Sequence, residues 1–264
     1  MIDQPALSVI TPIDFDHKAF LGSDIRKIAG EKAGIIKSGR PALTAIQRKI
    51  CDDVIAKRAE DVGAPLYRLK AHFIDAMPED LGLLGEHQRA NAALAAMAVQ
   101  LFGNSTIIDQ NAIFEGARNV VWPARMQRLK DGPFTALAPN QEIWLDGGHN
   151  PHAARAIARQ LNNMPGRTAL VAAMLASKDA TGYFMPFRQV RPEVFTLPNA
   201  PGHQGAEPQA LAEAATNAGL KAAAYDSLEA ALKAAATTGV DRILICGSLY
   251  LAGEVLAQNG EPPA

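Results

Sequence analysis

A chain of 264 residues, 48% of them hydrophobic and 20% charged, has enough apolar side chain to bury a sizeable core, which excludes an intrinsically disordered protein. Lys and Arg total 26 against 27 Asp and Glu, so there is no net positive field to gather nucleic acid. The longest apolar stretches, such as Ala169 to Ala176, fall short of the roughly 18 residues of a membrane span, and the N-terminus lacks a basic, apolar leader pattern. Cys51 and Cys246 lie far apart in unlike contexts, so neither a disulfide framework nor a zinc site is expected, and a cytoplasmic setting fits.

From Leu7 onward short apolar runs alternate with amphipathic stretches, the pattern of an α/β protein with helices layered on a mostly parallel sheet. The first half predicts a strand at Leu7 to Thr11, a helix from Ser23 to Ile35, a strand at Pro41 to Ile46 and a helix from Arg48 to Val62. Short β segments are expected up to Asp75, then a helix from Glu86 to Phe102 whose many apolar positions predict deep burial. Asp131-Gly132-Pro133 and Pro139-Asn140 punctuate the chain, predicting a β-hairpin and a domain boundary that divides residues 1–132 from 133–264. Beyond it the alternation is regular. Strands are predicted at Glu142 to Leu145, Thr168 to Met174, Glu193 to Leu197, Lys221 to Tyr225 and Arg242 to Cys246. Helices begin at Pro151 and Asp179, span Glu207 to Ala218, and start again after a cap at Asp226 or Ser227. The second half reads as a doubly wound domain.

In such a sheet the ligand crevice lies beyond the carboxyl ends of the strands. Asp146-Gly147-Gly148-His149-Asn150-Pro151 follows one strand and Gly147 and Gly148 allow a tight turn, so an acid, an imidazole and an amide meet at that edge. Gly247-Ser248 follows the last strand in the same way, beside a helix N-terminus that favours anions. The plainer alternative is that Asp146 and Asn150 cap a helix and His149 is a solvated loop residue. In the first half, His17 closes Asp14-Phe15-Asp16-His17 and Lys32 sits in Glu31-Lys32-Ala33-Gly34-Ile35; taken alone, the first reads as a strand-end histidine satisfied by neighbouring carboxylates and the second as a surface lysine. Asn91, polar in an alanine-rich helix, either bonds locally or faces a ligand. Arg125, after Trp122-Pro123, either forks onto a phosphate or pairs with a surface acid.

Together DFDH, EKAGI, HQRANAALA, WPARMQ, DGGHNP and GSLYLAGE, in this order from Leu7 almost to Ala257, resemble the folylpolyglutamate/dihydrofolate synthase family, related to the Mur ligases. The resemblance implies an incomplete P-loop-type ATPase domain followed by a Rossmann-like ligase domain. It implies that His17 is a magnesium ligand, that Lys32 is carried as a carbamate beside a second metal, that Asn91 contacts the adenine end of ATP, that Arg125 reaches its phosphates and that Asp146 binds the nucleotide. His149 and Ser248 would lie near the incoming L-glutamate and the acyl intermediate, with Lys178-Asp179 at the crevice edge. The reaction implied is ATP-dependent ligation of glutamate to dihydropteroate or a reduced folate through an acyl phosphate.

Two departures stand beside this. No G-x-x-x-x-G-K-S/T occurs in the chain, although the family carries that phosphate-binding loop in an N-terminal stretch; the chain therefore reads as lacking that segment and as unstable or self-associating without it. Ala124 also stands where the family tends to have glycine. The alternatives to a folate ligase are a non-catalytic nucleotide- or glutamate-binding remnant, a fragment that complements another chain, and a Mur-type peptide ligase.

Overall fold

The computed structural model describes residues 2–14, 24–102 and 108–262. Residues pack into two compact units, Met1–Val121 and Trp122–Ala264. The division therefore falls upstream of the expected boundary at 132/133. The reason is local: strand β4 (Gln127–Arg128) pairs antiparallel with β5 (Glu142–Asp146), so the hairpin segment is built into the second unit's sheet.

The first unit holds a parallel three-stranded sheet in the order β1-β2-β3, from Ser8–Ile10, Ala42–Thr44 and Leu66–Arg68. Alternation along β2 sorts its two faces. Ala42 turns toward α1 (Ile25–Ala33) and α2 (Lys49–Asp61), with Ile28, Ala29, Cys51 and Ile55. Leu43 turns the other way, toward Ala93 and Leu94 of α4 (Glu86–Phe102). Helix α1 begins at Asp24, whose carboxylate accepts the Arg26 N–H at 2.9 Å.

Two expectations need correction. The stretch before Asp75 is a single strand followed by a short helix, α3 (Ala71–Asp75), because Lys70 ends the extended run and the next residues carry no alternating pattern. Helix α4 is not deeply buried all round: only Gln88, Ala93 and Leu94 are fully enclosed, and Phe102 is 67% exposed. Its small alanines leave a gap instead of filling one. A cavity of ≈ 430 Å³ opens beside it against α5 (Gln110–Asn119), lined mainly by apolar residues, with Gln88 and Asn91 at its wall.

The second unit is a six-stranded sheet in the order β4-β5-β9-β6-β7-β8, all parallel except β4. Strands β6 (Thr168–Ala172) and β9 (Arg242–Cys246) are wholly buried, as near-continuous apolar runs in a two-faced parallel sheet require. Side-chain alternation again divides the faces. Ala169, Val171, Ile243 and Ile245 pack with helices α9 (Leu228–Ala236) and α10 (Leu249–Gln258). Leu170, Ala172, Leu244 and Cys246 pack with α6 (Pro151–Asn163), α7 (Ala180–Phe184) and α8 (Pro208–Asn217). The remaining strands, β7 (Val194–Thr196) and β8 (Ala222–Ala224), complete the doubly wound order. Strand β9, last in the chain, is inserted between β5 and β6, so the loops that leave β5, β6 and β9 adjoin at one edge.

Candidate functional site

That edge carries most of the second unit's candidate chemistry. Asp146 ends β5 in register with Cys246 of β9 and is only 6% exposed. Its carboxylate accepts the Met126 N–H at 2.9 Å and the Gly148 N–H at 2.7 Å. Burial pushes this carboxyl above the usual carboxylate range, while the two backbone N–H groups and the Arg125 guanidinium pull the other way.

The segment that Asp146 grips is held in an unusual conformation. Ala124 and Met126, on either side of Arg125, have φ of +54° and +43°. L-residues enter this left-handed region at a cost of about 1–2 kcal/mol. Glycine would enter that region freely, so Ala124 carries a strain that glycine there would not. The Gly147 N–H donates to the Ala124 carbonyl at 2.9 Å, and the Arg125 Nη1 donates to the same oxygen at 3.2 Å. A side chain on Gly147 would collide with Leu249 and lie 3.4 Å from the Arg125 Nη1, so glycine there admits both the α10 helix and the guanidinium.

The loops after β5 and β9 are tied by a hydrogen bond from the Gly247 N–H to the Gly148 carbonyl at 3.1 Å. Gly247 has φ +95°, and a side chain on it would strike the Ala173 carbonyl oxygen. Ser248 follows as the N-cap of α10; its Oγ accepts the Leu251 N–H at 3.3 Å, and the residue is 3% exposed. Its hydroxyl proton remains for a further acceptor. His149 is half-buried with Nδ1 3.0 Å from the Gly147 carbonyl, which in a neutral ring places the proton on Nδ1 and leaves Nε2 as an acceptor. Asn150 caps α6 by accepting the Ala153 N–H at 2.8 Å. Capping and crevice-building therefore coexist in this loop.

Arg125, Asp146, His149 and Ser248 thus belong to one loop cluster of the second unit. Lys32 and Asn91 belong to the first. Lys32 is exposed in the last turn of α1. Asn91 is exposed on α4, and its Nδ2 donates to the Gln88 Oε1 at 3.0 Å. His17 lies outside the described residues. Asp179 caps α7 by accepting the Gly182 N–H at 2.9 Å. Among the described residues no three His, Cys, Asp or Glu side chains gather as a metal centre.

Further groups lie near this edge, of which Tyr250 falls within the GSLYLAGE motif and Tyr183, Asn199 and His203 fall in none. Tyr183 and Cys246 are buried together behind Asp146, and burial raises both, the thiol to about 12. His203 and Tyr250 stack, and Asn199 lies in the loop after β7. For Asn199 and His203 the position after a parallel strand was the available signal; Tyr183 lies in a helix and no spacing marked it.

A glycine-lined strand-to-helix turn, a guanidinium and a helix N-terminus at the carboxyl edge of a doubly wound sheet make an anion-binding crevice. Residues 124–249 match the Mur ligase, glutamate ligase domain family, and the second unit is such a domain. The whole chain is 30% identical to the folylpolyglutamate synthase of Lacticaseibacillus casei over 95% of its own length and 61% of that protein's. It is 28% identical to the dihydrofolate synthase/folylpolyglutamate synthase of Escherichia coli, covering 95% and 59%. The crystal structure of Mycobacterium tuberculosis folylpolyglutamate synthase complexed with ADP and AMPPCP superposes with a TM-score of 0.85 at 26% identity, over 98% of this chain and 65% of that one. Over nearly its whole length the chain is similar to folylpolyglutamate synthases and dihydrofolate synthases, and it spans less than two thirds of the length of these relatives.

Proposed function

We propose that this chain is the nucleotide- and glutamate-handling part of an ATP-dependent ligase that joins L-glutamate to dihydropteroate or a reduced folate. The observation that carries the reading is the Arg125–Asp146–Gly147 constellation. A buried acid fixes the backbone N–H groups of Met126 and Gly148, and Arg125, just before the first of them, presents a guanidinium beside a turn that has no side chain at Gly147. Names of relatives and the nucleotide complexes of the M. tuberculosis enzyme support it.

In this reading the γ-phosphoryl group of ATP passes to a substrate carboxylate, giving ADP and an acyl phosphate. The glutamate amine then attacks the acyl carbon, the C–O bond to phosphate breaks, and an amide forms. Arg125 holds phosphate oxygens in its fork. Asp146 sets the loop that aims it. The N-terminus of α10 faces the developing anion. His149 Nε2 takes the proton that the ammonium of glutamate must shed before attack. Asn91 contacts the adenine end. A divalent ion, magnesium, neutralises phosphate charge in such reactions; His17 and a carbamylated Lys32 are its proposed holders.

The relatives are longer than the stretch this chain matches, so the test is made with and without a further part of a relative. The test is incorporation of labelled glutamate into dihydropteroate or tetrahydrofolate by the purified chain with ATP, magnesium and bicarbonate. It is run alone and with the N-terminal third of the L. casei relative added. Activity in either arm, abolished by Arg125→Ala, supports the ligase reading, and the arm that shows it distinguishes self-sufficiency from complementation. No incorporation and no nucleotide binding in both arms overturns it.

A further inference from the structure

The loop at 198–206 leaves the carboxyl end of β7 and is stitched to the rest of the crevice edge. Leu197 N–H donates to the Ala172 carbonyl at 3.1 Å, Ala176 N–H to the Gln204 carbonyl at 3.1 Å and Ala206 N–H to the Met174 carbonyl at 2.9 Å. Leu175 and Gly205 form an antiparallel bridge. On its outer side the His203 ring lies on the Tyr250 ring with centroids 3.4 Å apart and planes 18° apart, and Tyr250 is in the first turn of the helix that Ser248 caps. The loop therefore spans from the end of β6 to the mouth of α10.

Asn199 lies in this loop, and both atoms of its carboxamide, Oδ1 and Nδ2, are buried without a hydrogen-bond partner. Gly205 permits its placement: a Cβ on that glycine would sit 2.7 Å from the Cβ of Asn199. An orphaned buried donor or acceptor costs about 1–3 kcal/mol, and such groups call for a specific explanation. A leucine of the same shape would avoid the cost.

We propose that Asn199 positions the incoming glutamate. Its Nδ2 donates to the α-carboxylate and its Oδ1 accepts a hydrogen of the α-amino group, so one side chain satisfies both ends of an amino acid with the nucleophilic nitrogen oriented. The inference rests on the ligase reading, and it adds the group that recognises the amino acid as such, independent of the glutamate side chain.

The test uses the full chain and isothermal titration with L-glutamate and, separately, with ADP. Asn199→Leu is expected to weaken glutamate binding at least tenfold and leave ADP binding unchanged. Ligand-free Asn199→Leu is also expected to melt about 2–4 °C higher in the second unit, since the unpaired amide is gone. Asn199→Ala repeats the affinity test without the volume of leucine. Unchanged glutamate affinity in both variants overturns the proposal, as does a lower melting temperature in Asn199→Leu, which would make the amide a structural one. Wild type that binds ADP but not glutamate overturns the inference and spares the ligase reading; wild type that binds neither overturns both.

Discussion

Asp146 sets a contest between burial and partners. Burial favours its neutral form; two backbone N–H groups and Arg125 favour the charged one, and burial is the larger effect. With a folded-state pKa above the ordinary 3.8, the native chain holds a proton that the unfolded chain releases. The stability this contributes is complete below the ordinary value and is lost as pH rises through the raised one. The stability advantage of wild type over Asp146→Asn, followed by urea unfolding of the second unit, should therefore shrink as pH rises from about 4. Growth of that advantage over the same range would mean that the hydrogen bonds win. Two glycines a few residues apart make a sharper contrast. Gly247, with φ +95° and the Ala173 carbonyl against it, should not tolerate a side chain, and Gly247→Ala should cost at least about 2 kcal/mol. Gly253, inside α10 with nothing within 4 Å of a built Cβ, should behave oppositely, Gly253→Ala adding about 0.8–1 kcal/mol. Denaturation midpoints of the two variants decide both. Residues of this kind were legible only in part. The glycines and Asp146 stood out after an apolar strand, but the stack of His203 on Tyr250 joins a loop to a helix distant in sequence, and nothing in the pattern marked Asn199.

Elements were legible in proportion to how fully they are buried. Strand β9 matches its apolar run from Arg242 to Cys246 residue for residue, because a strand covered on both faces has no polar positions to blur its ends. Helix α5 was not foreseen at all. Its apolar residues Ile113, Phe114 and Ala117 do fall at helical spacing, but the helix is short, holds Gly116, and every residue of it is at least partly exposed. Helix α4 was foreseen but its environment was not: alanine at 92, 95 and 96 signals close packing only when a partner comes close, and here those positions line a cavity of ≈ 430 Å³. Caps were better guides. Ser227, one of two residues expected to start α9, accepts the Ala230 N–H at 3.2 Å, whereas Asp226 does not cap the helix. Ser227→Ala should cost about 1 kcal/mol through the lost cap, with an apparent melting shift confined to the second unit, which scanning calorimetry would register. An effect below a few tenths would show that α9 is fixed by Ala231, Leu232 and Ala235 against the sheet alone.

At the scale of the molecule the two units differ in how completely each encloses its core. The second has six strands with helices on both faces and a continuous pair of apolar clusters. The first has three strands and an apolar cavity open beside α4, so less of its backbone hydrogen bonding lies in a sheet and more of its apolar surface meets water. Between them the chain passes through Val121 and Trp122, which are 84% and 61% exposed. Exposed, apolar and outside any helix or strand, this stretch should be cut by thermolysin, which cleaves before residues such as Val120 and Val121. Brief digestion should release a fragment starting near Trp122 that resists further cleavage, while residues 2–119 are degraded, because opening of the first unit costs less free energy. Mass spectrometry of the time course would show it. Adding the N-terminal third of the L. casei relative should then slow loss of the first unit and leave the second unit's survival unchanged, if that segment covers the cavity beside α4. Equal survival of both halves without the addition would mean that three strands and their helices already suffice, and the complementation reading would lose its structural reason.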